Sequence, residues 1–134
     1  HQNPSSSFEY EPLIRALATD RQVIAFDTPG YGMSDAPPSP LGLAEYVSVM
    51  ADCLTEAGLP PEQPFDLYGF HTGSLLALEM ALARPAQARR VAVTGIPMRS
   101  GEERAALLDK ARKAPALDEE GKVALDMARA LWDY

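Results

Sequence analysis

Phe65-Asp66-Leu67-Tyr68-Gly69-Phe70-His71-Thr72-Gly73-Ser74 is the stretch that decides the fold. Its first four residues are a short apolar run, entered from Pro60, Pro61 and Pro64, and predict a strand from Phe65 to Tyr68. Ser74 to Ala83 is rich in Leu and Ala and predicts a helix. The residues between them, Gly69 to Gly73, must turn strand into helix. So sharp a turn strains the middle residue and stands its side chain above the sheet edge. It also needs small residues on both flanks, so that the helix can pack close to the strand. Gly69 and Gly73 supply them. The spacing is that of a G-x-nucleophile-x-G elbow with His71 at its centre. The backbone N–H groups that follow, beginning with Thr72, point toward the same space.

Working outward, Arg90 to Thr94 predicts a strand closed by the Gly95-Ile96-Pro97 break. Upstream, Arg21 to Asp27 is a short apolar run suited to a buried parallel strand, and Thr28 to Leu41 is a Pro- and Gly-rich loop. Gly42 to Ala57 predicts a helix with Leu43, Tyr46, Val47, Met50 and Leu54 on one face. Phe8 to Ala18 predicts another, with Ser5-Ser6-Ser7 available to cap it. After Gly101 two helices are expected, about Glu102 to Lys113 and about Glu119 to Trp132. Strands alternating with helices imply an α/β fold with a parallel sheet of about three strands, and a site in the loops at the strands' carboxyl ends. Three strands bury only a small core, so the native protein is expected to be longer.

The formal net charge of −7 argues against a nucleic-acid or anionic-membrane partner, which would select clustered Lys and Arg. Cys53 is the one cysteine, which excludes an internal disulfide and fits a reducing, cytoplasmic compartment. No stretch approaches the roughly 20 apolar residues of a membrane helix, and no signal peptide is visible. No cofactor is implied. No metal site is expected either, because the two histidines, His1 and His71, lie far apart in the chain. The sequence carries no signal about oligomeric state.

Two further segments give the elbow its context. His1-Gln2-Asn3-Pro4-Ser5-Ser6-Ser7 resembles the HGxP oxyanion-hole loop of α/β-hydrolases followed by their first helix. Asp27-Thr28-Pro29-Gly30-Tyr31-Gly32-Met33-Ser34-Asp35 resembles their D-x-P-G-x-G-x-S-D loop, in the expected order before the elbow. The Asn3-Pro4 pairing is most similar to the haloalkane dehalogenase and epoxide hydrolase-like branch. The resemblance implies an α/β-hydrolase core over residues 1–97 and the start of a helical cap over 98–134. It also implies hydrolysis of a small organic substrate, with His71 at the nucleophile position and an oxyanion hole from the amides of Thr72 and of Gln2 or Asn3.

Three departures from the family pattern bear on that expectation. His71 stands where the family has Ser, Asp or Cys, Gln2 replaces the glycine of HGxP, and the chain has no second histidine downstream for a triad. Histidine serves as a nucleophile toward phosphoryl groups or as a general base toward water. Two alternatives therefore stand beside hydrolysis: a non-catalytic protein that binds a small ligand on the same fold, and a non-hydrolytic lyase or oxygenase using His71 as base.

Several residues are weighed and set aside. Ser34, in Gly32-Met33-Ser34-Asp35-Ala36, lacks the strand-to-helix context of a nucleophile. Asp27 and Asp35 are expected to brace their loop by bonding backbone amides, and Ser74 to cap the first turn of its helix. Cys53 is expected to be buried, and Met127, Trp132 and Tyr134 to form a hydrophobic stripe facing a cap pocket or a core.

Overall fold

The computed structural model describes residues 1–113 and, beyond them, Gly121, Lys122, Leu125, Asp126 and Arg129. The chain divides into two compact units, His1–Pro97 and Met98–Tyr134.

In the first unit, β1 (Phe65–Phe70) and β2 (Ala88–Thr94) pair in parallel, with Leu67 opposite Val91 and Phe70 opposite Thr94. The crossover between them is α3 (Thr72–Ala83), which returns the chain to the start of the sheet as a parallel connection requires. At the start of the ladder the register shifts by one residue, and Arg89, the extra residue, pairs its guanidinium with the Asp66 carboxylate at 2.6 and 2.8 Å. Both strands run longer than the sequence pattern suggests, because ladder bonds extend past the apolar runs.

One face of the sheet is covered by α3, and α2 (Leu43–Glu56) packs against α3. Their meeting sides come from residues one turn apart: Val47 and Ala51 on α2, Leu76 and Met80 on α3, all buried. Phe65 and Leu67 reach this cluster from alternate positions of β1. The Glu45 carboxylate accepts the Gly42 N–H at 2.6 Å and fixes the start of α2. Because α2 turns Val47 and Ala51 inward, Cys53 falls on the opposite side and is exposed, contrary to the buried thiol expected from sequence.

The N-terminal helix begins later than its apolar spacing suggests. Ser6 accepts the Phe8 N–H at 3.3 Å and opens a single 3-10 turn, Ser7–Tyr10, which leaves Phe8 75% exposed. Helix α1 (Glu11–Leu17) follows, with Pro12 in its first turn, where the missing N–H costs nothing.

The expected strand from Arg21 to Asp27 is not a member of the ladder. It joins no helix and no ladder among the described residues, so the sheet described here has two strands where about three are expected. A strand is defined by a neighbour at hydrogen-bonding distance, and the apolar run specifies burial without specifying that neighbour.

In the second unit, α4 (Gly101–Arg112) starts from a reciprocal cap: Glu103 N–H donates to the Ser100 hydroxyl at 3.2 Å, and Ser100 N–H donates to the Glu103 carboxylate at 2.7 Å. Of the helix expected at about 119–132, Lys122, Leu125, Asp126 and Arg129 are helical, whereas Met127, Trp132 and Tyr134 lie outside the described residues. Among the described residues no helix is long and apolar enough to cross a membrane.

Candidate active site

The elbow follows β1 directly. His71 has φ 50° and ψ −115°, and it is the only non-glycine residue with positive φ among the described residues. Such a conformation costs on the order of 1–3 kcal/mol and persists only where its surroundings hold it. They do so here: His71 N–H donates to the Thr94 carbonyl at 2.9 Å, and Ser74 N–H donates to the His71 carbonyl at 3.0 Å. The flanking glycines are required by space. A Cβ on Gly69 would lie 2.2 Å from the Gly73 carbonyl oxygen, and one on Gly73 would lie 2.7 Å from the backbone nitrogen of His1. The sequence pattern thus has a steric cause at both ends.

Ser74 plays a different part from the helix cap expected of it. Fully buried, its hydroxyl faces the carbonyls of Gly69 at 3.0 Å and Thr94 at 2.8 Å, so it donates to the ends of both strands and locks the turn onto the sheet.

Around His71 the amides are sorted clearly. Gly73 N–H donates to the His1 carbonyl at 3.0 Å, whereas the Thr72 N–H has no hydrogen-bond partner among the described residues. The Thr72 hydroxyl lies 3.3 Å from Nδ1 of His71. A polarising amide, an imidazole and a hydroxyl therefore stand together at the N-terminus of α3, where the helix dipole favours developing negative charge.

The loop His1–Ser7 is brought alongside by His1, which is buried. Its Nε2 accepts the Thr28 N–H at 3.1 Å, so Nδ1 carries the ring proton and donates to the Gln2 carbonyl at 2.9 Å. The Gln2 amide, one of those expected to line an oxyanion hole, is already engaged: it donates to the Glu9 carboxylate at 2.9 Å. Asn3 is exposed at the turn. Glu9 is the participant that sequence reasoning missed. The one signal was the Ser6-x-x-Glu9 spacing of a capping box, which predicts a bond to the Ser6 amide, yet the carboxylate reaches four residues further back.

Asp27 braces its loop as expected, accepting Ser7 N–H at 2.7 Å and Met33 N–H at 2.8 Å. These bonds, led by the one from Met33, hold its carboxyl below the usual range. Gly32 allows the approach, since a Cβ there would fall 2.2 Å from the Asp27 carboxylate. Asp35 acts through its backbone carbonyl, which accepts Gly30 N–H at 2.9 Å. Ser34 donates its hydroxyl to the Asp27 carbonyl at 2.6 Å, a structural bond within the loop.

Residues 1–120 match the model of a family described as the alpha/beta hydrolase fold. The chain belongs to that family. Among the proteins it resembles is the (E)-2-((N-methylformamido)methylene)succinate hydrolase of Acinetobacter baylyi, 30% identical over 101 residues, covering 75% of this chain and 37% of the relative. Another is the putative carbamate hydrolase RutD of Azorhizobium caulinodans, 32% identical over 84 residues, covering 63% of this chain and 31% of the relative. The crystal structure of wild-type Cfl2 from Burkholderia cenocepacia superposes with a TM-score of 0.69 at 21% identity, covering 96% of this chain and 46% of that one, which supports the fold. The chain spans about a third of the length of the two curated relatives.

Proposed function

We propose that this chain is the central part of a hydrolase acting on a small organic substrate, with His71 at its reacting centre. The observation that carries the reading is the positive φ of His71, held on a strand-to-helix turn beside the unpartnered Thr72 amide. A fold that maintains a residue in a costly conformation while leaving the next amide free has the parts needed for attack at a carbonyl.

His71 is read as a general base. With Nδ1 engaged by the Thr72 hydroxyl, Nε2 is left to take a proton from a water molecule. The water oxygen bonds to the substrate carbonyl carbon, the carbonyl oxygen gains negative charge and accepts the Thr72 N–H, and the tetrahedral species collapses as the bond to the leaving group breaks. The proton on the imidazole passes to the leaving group. Gln2 contributes a second donor when the Glu9 carboxylate gives up its amide. Residues from Met98 onward are assigned to the start of a cap.

The relatives' names favour an acyl substrate, since an N-methylformamido compound and a carbamate both carry a carbonyl bound to nitrogen. The likeness of Asn3-Pro4 to the haloalkane dehalogenase and epoxide hydrolase-like branch is the second reading, in which Asn3 would hold a leaving halide. A panel of small carbamates, amides, esters, haloalkanes and epoxides, assayed with the full-length protein, separates them. Turnover of acyl substrates is expected. Turnover confined to haloalkanes or epoxides would favour the second reading, and no hydrolysis of any class would overturn both.

A further inference from the structure

His1 ties three backbone segments together beside the elbow. Its carbonyl accepts the Gly73 N–H at 3.0 Å, which holds the start of α3. Its Nε2 accepts the Thr28 N–H at 3.1 Å, and its Nδ1–H donates to the Gln2 carbonyl at 2.9 Å. Both His1 and Thr28 are buried. The bond to Thr28 lasts only while the ring is neutral, because an imidazolium carries a proton on each nitrogen and accepts at neither.

The Thr28 side chain offers the added proton another partner. Its Oγ1 lies 3.2 Å from the same Nε2, and a hydroxyl oxygen accepts as readily as it donates. A protonated ring therefore exchanges partners within one residue: Nε2–H donates to Oγ1, and the buried Thr28 N–H loses its acceptor. A second strap on the same loop is untouched by this exchange. The Asp27 carboxylate accepts Ser7 N–H at 2.7 Å and Met33 N–H at 2.8 Å, and these bonds hold its carboxyl below the usual range. Asp27 thus stays charged, and Ser7 stays fastened, at acidities where an imidazole has already taken up its proton.

The groups around His1 suit such an exchange. Glu9 from the 3-10 turn and Asp27 from the following loop lie close to it, and their carboxylates balance an imidazolium in a buried position. Tyr31 packs edge-on against the ring at 6.0 Å between centroids, and burial raises the pKa of its hydroxyl, which stays neutral. Helix α3 meets His1 through Gly73, which does not titrate. The α-amino group of His1 titrates as well, at a pKa that burial lowers.

We infer that His1 is a proton-operated clasp: the neutral ring fastens the loop that begins at Thr28 to the backbone beside the elbow, and protonation releases the Thr28 N–H while the Asp27 to Ser7 strap stays closed. Imidazoles exchange protons at about pH 5–8, so the clasp works within the ordinary range of cellular acidity. The Gly73 N–H hangs on the same residue, so an open clasp also loosens the backbone against which α3 and its Thr72 amide are set. His1 is in this sense a positioning residue. Its effect on hydrolysis rests on the reading of His71 and Thr72 as the reacting site, whereas the clasp itself does not.

The test follows the protection factor of the Thr28 amide by hydrogen exchange in the full-length protein from about pH 8 to about pH 5, while nitrogen NMR follows the His1 ring. The Leu76 to Met80 turn is the internal reference, and the Ser7 amide reports the Asp27 strap. His1→Gln is measured alongside: its side-chain oxygen reaches as far as Nε2 and accepts the Thr28 N–H, binds no proton, and leaves every other titrating neighbour in place. Protection of Thr28 is expected to fall by about tenfold or more as the ring protonates, with Ser7 and the reference unchanged, and to stay level in His1→Gln. A ring that stays neutral throughout, Thr28 protection that is constant as the ring titrates, a fall shared with Ser7 or the reference, or an equal fall in His1→Gln would overturn the inference. The parent's own titration decides even without the variant, and none of these readouts uses a substrate, so they stand apart from the panel that tests hydrolysis.

Discussion

Nε2 of His1 accepts the main-chain N–H of Thr28 at 3.1 Å, a bond made between two buried residues that are 27 positions apart. It fastens the loop before α1 to the loop that follows the unpaired segment from Arg21 to Asp27. The Thr28 amide has no other acceptor among the described residues, so His1→Ala leaves a buried donor without a partner. The expected loss is about 1–3 kcal/mol, read as a fall in the urea midpoint at unchanged slope.

The elbow glycines are predicted to tolerate no side chain. A Cβ at Gly69 meets the Gly73 carbonyl oxygen, a backbone atom that cannot step aside without moving α3. Gly69→Ala is expected to cost about 1–3 kcal/mol or more, whereas Gly58→Ala, which meets no atom within 4 Å, loses only through its positive φ. Thermal unfolding of the two variants side by side checks the difference.

His71→Gly is expected to stabilise the fold while it removes the imidazole. Glycine adopts a φ of 50° without the penalty that a Cβ brings, so part of the roughly 1–3 kcal/mol of stored strain is released. A rise in unfolding temperature for His71→Gly over His71→Ala is the readout, because both lack the ring and differ only in the Cβ that strains this conformation.

Asp27 sets a pH dependence. Its folded carboxyl titrates below its ordinary value because Met33 and Ser7 amides bond the charged form. The unfolded chain therefore binds more protons near its own pKa, about 3.9, and stability rises with pH there. The contribution is full above that value and is lost as pH falls through the lower, folded pKa. Asp27→Asn is expected to be less stable than the parent at pH 7, with the gap closing toward pH 2, as measured by urea unfolding across that range.

How much of this was legible in the sequence depends on how far each residue's role reaches along the chain. The elbow was readable because Gly69, His71 and Gly73 lie within five positions, and the clash that demands Gly69 is local, whereas the one that demands Gly73 comes from His1 at a long distance along the chain. The bond from Met33 N–H to Asp27 was readable for the same reason, whereas the one from Ser7, 20 positions back, was not. The segment from Arg21 to Asp27 reads as a strand because its apolar run reports burial, but pairing depends on a neighbour that the run does not specify. Glu9 was missed because its carboxylate passes over its local cap and binds Gln2 seven residues back. Ser74 was misread because its carbonyl partners, Gly69 and Thr94, are set by the sheet and not by the helix it begins. Cys53 was misplaced because the apolar residues around it leave two possible inward faces, and packing against α3 selects the one with Val47 and Ala51.

The measurement that tests the central claim most directly is kcat/KM of the full-length protein and its His71→Ala variant on the best acyl substrate of the panel. Loss of about 10²- to 10⁴-fold in the variant, with folding intact by circular dichroism, is the predicted result for a general base. Unchanged kcat/KM would contradict the account and remove His71 from the chemistry.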